Sequence, residues 1–300
     1  MKLHHLFCLS ATLFLLSCKK EKVDETVTEI KVDTITKVQQ KSTEKELEKL
    51  TSDFIKRKQE IQEKLKKAAP LEANALYEAL VKENGAELLA IEKLEEHFIN
   101  NYYSYFYNEE KQITPPDSIQ KKVDLLTKTK LEVWDVGEGI VEIRTLPSYY
   151  IDIFKSRVTE DYKEFIAINA EEDKELFVND AALAVELGEA GRRVINWEKF
   201  IAKYPDSKLI ERAKSIYLFY QDAYLFGFDN TPVKDYQTRE LYKENLDDFK
   251  KFVAKYPESP TTRLIQIVIN NTGTHDELSE IINKEQQNMG LDTTPYGDSE

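Results

Sequence analysis

Trp197-Glu-Lys-Phe200-Ile201-Ala-Lys-Tyr204-Pro205-Asp206-Ser207 returns later in the chain as Phe249-Lys-Lys-Phe252-Val253-Ala-Lys-Tyr256-Pro257-Glu258-Ser259. In each copy the apolar residues recur at i, i+3, i+4 and i+7, which is the spacing of one helix face. A proline then denies the helix its next amide, and a serine two residues on stands where a following helix needs a cap. The phrase reads as helix, turn, helix, written twice. Each such helix is amphipathic and cannot bury its face alone, so the spacing predicts a mainly α protein of stacked antiparallel helix-turn-helix repeats.

Composition agrees with that class. Three hundred residues, 41% hydrophobic and 11% aromatic, suffice for a buried core in one or two domains. Nine glycines and nine prolines among abundant Glu, Lys, Leu and Tyr favour helix over a β-sandwich. A formal charge of −13 repels phosphate backbones, so no nucleic-acid partner is expected.

The N-terminus carries the two cysteines. Cys8 lies within the apolar run Leu6–Leu16, which is shorter than the roughly 20 residues of a membrane span but suits a secretory signal. Leu15-Leu16-Ser17-Cys18 follows, with an aliphatic residue at −3, a small one at −1 and cysteine at +1. This stretch resembles the lipobox of bacterial lipoproteins. The resemblance implies a signal peptide over 1–17, cleavage before Cys18, and lipid attachment at Cys18, with the membrane as the first partner. Two acyl chains anchor a protein stably. An acylated Cys18 leaves the mature chain without a thiol, which excludes disulfides, zinc-cysteine sites and cysteine nucleophiles. By resemblance to outer-membrane lipoproteins, Lys19 in place of Asp favours the outer membrane. Cys18-Lys-Lys-Glu-Lys-Val-Asp24-Glu25 matches poorly the acidic stretch of surface-exposed lipoproteins of the Bacteroidota, so a periplasm-facing position is expected. Asp33-Thr34-Ile35, Asp117-Ser118-Ile119 and Asp292-Thr293-Thr294 fit the O-glycosylation pattern of that phylum, although three-residue matches arise readily by chance.

Residues 18–43 lack aromatic residues and read as a flexible tether with a span of roughly 25–30 Å. An N-terminal helical region is expected over 44–185. Its first helix carries Leu47, Leu50, Phe54, Ile61 and Leu65 at near-heptad spacing, with Arg57 and Lys64 interrupting the apolar slots, and reads as packing on the body rather than as a coiled coil. A helix from Pro70 is interrupted at Asn84-Gly85. A further run ends in Tyr102-Tyr103-Ser-Tyr105-Phe106-Tyr107, whose aromatics fit either packing or a stacking surface for sugar or peptide. Asp117 can cap a short helix with Gln120 in the capping-box position. Leu131–Val136 and Ile140–Ile143, separated by Gly137-Glu138-Gly139, read as one small β-hairpin near 130–145. A glycine-rich phosphate loop would need a helix where the second strand stands. Asp161-Tyr162-Lys-Glu-Phe165-Ile166-Ala167 is a faint third copy of the opening phrase, and after Asn179-Asp180 a long helix is expected through Leu183, Val185, Leu187, Val194 and Trp197 to Tyr204.

The region 186–287 holds the repeats. A Phe-x-x-Phe helix ending in Tyr-Pro, with Ser opening its neighbour, resembles tetratricopeptide repeats, in particular those of outer-membrane assembly lipoproteins and envelope coordinators. The resemblance covers Glu186 to Asn271 and implies a protein-interaction role. Tetratricopeptide repeats recur every 34 residues or so, about 18 fewer than the interval from Phe200 to Phe252. The surplus sits at Phe226-Gly227-Phe228-Asp229-Asn230-Thr231-Pro232-Val233-Lys234-Asp235-Tyr236, a loop inserted between units. Its Phe226, Phe228, Asp229, Asn230 and Tyr236 are candidate binding residues, as are Tyr102 and Tyr103. The competing reading is that the loop aromatics plug the end of the stack. Residues 288–300 read as a disordered tail.

Catalytic residues are sparse. Beyond the signal segment the histidines are His97 and His275, without ligand spacing, and Asp229, Asn230 and Asp235 lack the spacing of a calcium loop, so no metal or other cofactor is expected. No catalytic motif is found. The expected function is a lipid-anchored envelope scaffold with a protein partner in the envelope. The alternative is an envelope glycan- or peptide-processing enzyme using paired carboxylates near Tyr102–Tyr107. Replacing Cys18→Ala moves the protein from the membrane to the soluble fraction on ultracentrifugation; retention in the membrane pellet would contradict the anchor.

Overall fold

The computed structural model describes residues 25–109 and 111–291, with residues 25–40 described by backbone alone. The expected signal peptide, Cys18 and the rest of 18–24, and the tail from residue 292 lie outside the described residues. The chain divides into two units, residues up to Lys45 and residues from Glu46 onward, and all packing below belongs to the second.

In order, α1 (Glu25–Leu65) precedes α2 (Pro70–Leu94) and two short helices, α3 (Glu96–Asn100) and α4 (Tyr102–Phe106). A tight hairpin, β1 (Tyr107–Asn108) and β2 (Lys111–Gln112), leads to α5 (Asp117–Thr129) and the longer hairpin β3 (Leu131–Gly137) and β4 (Ile140–Thr145). Then come α6 (Tyr149–Phe154), α7 (Glu160–Glu172), the hairpin β5 (Val178–Asn179) and β6 (Ala182–Leu183), α8 (Leu187–Lys203) and α9 (Ile210–Phe226). The last part is the hairpin β7 (Gly227–Phe228) and β8 (Thr231–Pro232), α10 (Lys243–Lys255), α11 (Pro260–Asn270) and α12 (His275–Asn288). The protein is mainly α with small antiparallel hairpins. The expected hairpin is β3–β4, and among the described residues three two-residue hairpins accompany it.

Several local expectations are corrected. From Glu25 the expected tether is helical: no Gly or Pro occurs before Pro70, so nothing in that stretch stops a helix. Asn84-Gly85 does not interrupt α2. The Asn84 side chain is fully buried and occupied by tertiary partners, accepting from Arg57 Nη1 at 3.2 Å and donating to the Tyr150 hydroxyl at 3.3 Å. Asp117 is the first residue of α5 rather than its cap, which is Pro116. The helix expected after Asn179-Asp180 begins only at Leu187, because Asp180 and Ala181 take positive φ (50° and 48°) and turn the chain into β6, which holds Leu183 in a strand.

The α1 stripe is covered within the unit, with Leu47, Phe54, Ile61 and Leu65 all buried. Arg57, the apparent misfit in that stripe, pairs with Glu83 at 3.2 Å and with Glu87, clamping α1 to α2.

The repeated phrase folds the same way twice. Tyr204 and Tyr256 end α8 and α10 with nearly identical backbones, φ/ψ −128/57 and −130/60. In each copy the serine amide donates to the tyrosine carbonyl at 3.1 Å. Ser259 then caps α11 by accepting from the Thr261 amide, whereas Ser207 accepts from the Leu209 amide and donates to Asp161 Oδ2, so α9 starts a turn later. Gly191 meets Tyr224, Arg193 meets Tyr220 and Glu198 meets Tyr217, so α8 and α9 run antiparallel. The aromatics of the phrase are interior: Trp197, Phe200 and Phe249 are fully buried. The faint third copy joins them, with Phe165 5.2 Å from Trp197 and 5.8 Å from Phe200. Below this seam Trp197 Nε1 donates to the buried carboxylate of Glu172 at 3.0 Å, and Arg193 donates to Tyr220 at 3.1 Å. Burial pushes Glu172 up to about 7 against the pull of Trp197 and Arg193.

Two helical glycines separate propensity from packing. A Cβ at Gly85 meets nothing within 4 Å, whereas one at Gly191 would stand 2.9 Å from the buried Tyr224 ring. Gly85→Ala therefore stabilises by about 1 kcal/mol, the helix-propensity gain. Gly191→Ala loses about 1–2 kcal/mol net, because the ring cannot retreat. Urea denaturation of the two variants measures both signs.

Candidate functional site

Ser215, Leu218, Phe219, Asp222, Ala223 and Phe226 recur at steps of three and four along α9, so they share one face. His275, Ser279 and Asn283 do the same on α12, at steps of four. These two faces and the loop after α9 border a cleft of about 550 Å³, which falls within the size range of small-molecule and side-chain sites. A buried amide joins the two helices that border the cleft. Gln286 on α12, fully buried, donates to Gln221 Oε1 at 3.1 Å and to Asp222 Oδ1 at 2.6 Å, tying α12 to α9.

The inserted loop forms the end wall. Gly227 closes α9 at φ +73°, and a Cβ there would lie 2.1 Å from the Thr231 carbonyl, so the turn into β7 requires glycine. Val233, almost fully buried, pins the loop: its amide donates to the Phe226 carbonyl at 2.9 Å, and its carbonyl accepts from the Tyr242 amide at 3.2 Å. The Asp235 carboxylate accepts from the Gln237 and Thr238 amides at 2.9 and 2.7 Å, which hold it below the usual range and engage it within the loop.

Of the residues singled out in the sequence, Phe226, Phe228, Asp229 and Tyr236 border this cleft together. Asn230 does not: its amide donates to the Ala181 carbonyl at 2.9 Å and its side chain to the Asp180 carbonyl, fastening the β7–β8 hairpin to the β5–β6 turn. Tyr102 and Tyr103 lie on α4, away from the cleft lining, and pack on aromatic neighbours. Tyr102 meets Phe106 at 4.7 Å with the rings tilted by 35°, and Phe98 at 5.7 Å edge-on. Burial, reinforced by the Asp135 carboxylate, raises the Tyr103 hydroxyl to about 12.

Several cleft residues escaped sequence reasoning, among them Phe219, Asp222, His275, Ser279 and Asn283. A signal existed for one of them: Asp222 stands inside Tyr217-Leu-Phe-Tyr-Gln-Asp-Ala-Tyr-Leu-Phe226, a lone carboxylate in an aromatic helix. Burial lifts its carboxyl to about 6, with the Gln286 amide pulling the other way. Phe219 and Tyr236 remain 44% and 60% exposed at the mouth. A smaller cavity of about 160 Å³ shares Phe226, Tyr236 and His275 and is bordered by Lys234 and Arg239. Those cations face the carbonyls that join α11 to α12, Lys234 donating to Asn271 O at 2.6 Å and Arg239 to Thr272 O at 3.4 Å.

No protein-family model, curated protein or solved structure matches the chain. Among the described residues no helix is long and apolar enough to cross a membrane.

The Asp222 environment has a pH signature. The carboxyl is raised in the folded state relative to its ordinary 3.8, so its contribution is most favourable below pH 3.8 and is lost as pH rises through about 6. Across pH 4–7 the stability of the native chain falls by about 1–2 kcal/mol relative to Asp222→Asn, a range already reduced for partial exposure. Thermal melts of both proteins at half-unit pH steps check this, and parallel curves would contradict it.

Proposed function

We propose that this chain is a lipid-anchored binding protein of a bacterial cell envelope, held at the outer membrane through Cys18 and facing the periplasm, which engages a protein partner through its helical repeat region. The observation that carries the reading is the cleft between α9, α12 and the loop Gly227–Tyr242. It is a concave site whose walls come from rigid helices and whose mouth leaves large aromatics uncovered. Aromatic side chains left exposed at a concave rim mark interaction sites more often than solvated surface. The likeness of the two Tyr-Pro-x-Ser helix pairs to tetratricopeptide repeats supports the same reading, since such scaffolds present binding surfaces while their phrase residues are spent on packing. Membrane attachment rests on Leu15-Leu16-Ser17-Cys18. The enzyme alternative gains no specific support at Tyr102–Tyr107, whose rings are engaged with one another and with Phe98.

The test is capture from a detergent-solubilised envelope of the native host, using the full acylated chain and the same chain carrying Phe219→Ala and Tyr236→Ala. Both side chains are exposed, so the variant keeps its fold, checked by circular dichroism. A reproducible set of proteins is captured by the native chain and lost from the variant. Capture of the same set by both would remove the cleft from the reading, and capture of nothing by either would remove the scaffold role.

A further inference from the structure

Beside His275 and the polar Ser215, Ser279 and Asn283, the Lys, Arg, Asp and Glu content of the larger cleft's wall is of one sign. The chain has 42 Lys and Arg residues, yet none borders this cleft among the described residues, while two carboxylates, Asp222 and Asp229, do. Aromatic side chains complete it. Phe226 stands 5.4 Å from His275, and Phe219 stands 6.5 Å from Phe228, with Tyr236 at the mouth. Ring faces carry partial negative charge and attract cations within about 6 Å, the more strongly where water is thinned out. Carboxylates beside such rings add a full charge of the same sign.

Asp222 is also pre-positioned. Its Oδ1 accepts from Gln286, a fully buried amide that Gln221 in turn holds, while its Oδ2 accepts no hydrogen bond from the described residues. A carboxylate fixed on one oxygen and open on the other has its ordering cost met before a ligand arrives. An anion would meet two carboxylates. A neutral group would leave the partly desolvated Asp222 without a counter-charge. The nearby Lys234 and Arg239 do not reverse this balance, since both line the neighbouring cavity and donate to main-chain carbonyls. The formal charge of −13 on the whole chain favours approach of a basic partner.

We propose that the cleft between α9 and α12 takes the cationic side chain of a lysine or arginine presented by a peptide segment of a basic partner protein, with Asp222 as the counter-ion and Phe219, Phe226, Phe228 and Tyr236 as the surrounding rings. This rests on the binding-protein reading above and names the chemistry that the site recognises.

Fluorescence anisotropy on the full chain tests it, with labelled, end-blocked Gly-Ser peptides carrying one central lysine, arginine, norleucine or glutamate. The lysine and arginine peptides bind at least tenfold more tightly than the norleucine peptide, and the glutamate peptide binds weakest. Asp222→Asn removes at least tenfold from lysine binding and leaves norleucine binding unchanged. Asp229→Asn, at an exposed position, serves as a second variant should Asp222→Asn fail to fold, and it weakens lysine binding in the same direction. Equal binding of lysine and norleucine peptides, or tighter binding of a neutral N-acetylglucosamine tetramer, overturns the proposal. So does competition by butylammonium at the affinity of the lysine peptide, since a free amine would then suffice. Loss of cation selectivity with cleft-dependent capture intact sinks this inference alone, whereas loss of cleft-dependent capture sinks the reading beneath it.

Discussion

The C-terminal half of the molecule depends on the contact between Gly191 and Tyr224. With no side chain at Gly191, the Tyr224 ring lies against the α8 backbone, so close that a Cβ would come within 2.9 Å of it. From that position the ring meets Phe249 and Phe252 at 5.2 Å each, and its hydroxyl donates to Asp248 at 2.8 Å. One buried tyrosine thereby ties α8, α9 and α10 together, docking the second helix pair on the first. The arrangement needs a glycine in mid-helix, which costs about 1 kcal/mol in propensity and is offset by the burial of three aromatic rings.

The cleft follows from this docking. Once α10 and α11 are seated, α12 returns against α9, and Gln286 fixes its approach through Gln221 and Asp222. The network continues to Tyr217, Thr261 and Glu198, all joined by hydrogen bonds of 3.3 Å or less. A buried polar network of this kind has few satisfied alternatives, so it specifies one position for each helix. The glycine at position 227, the buried Val233 and the Asn230 anchor then hold Phe228, Asp229 and Tyr236 along the cleft.

Helix docking at the other end obeys the same logic with charge in place of rings. Arg57 interrupts the apolar stripe of α1 and looks, in the linear pattern, like a defect. In three dimensions its guanidinium meets Glu83, Glu87 and Asn84 on α2. Asn84 in turn reaches Tyr150 on α6. The residues that seemed to break the pattern, Arg57 and Asn84, are the ones that join elements distant in sequence.

Periodicity and punctuation by themselves determined the helical class, the doubled Tyr-Pro-x-Ser turn, the β3–β4 hairpin and the inserted segment Phe226–Tyr236. These features are local, set by side-chain spacing and by the few residues that permit or forbid a backbone conformation. The lipobox resemblance at Cys18 is likewise a local signal. Tertiary structure alone decided that Asn84-Gly85 sits inside a continuous helix, that Asn230 anchors a hairpin, and that Asp222 and His275 share a cleft. The two cleft residues are 53 positions apart, on helices whose outward faces carry no mark of which neighbour they will oppose. Periodicity records which face is buried. Partners across a gap are set by which helices pack on which, and here that packing turns on a missing side chain at Gly191 and one buried glutamine.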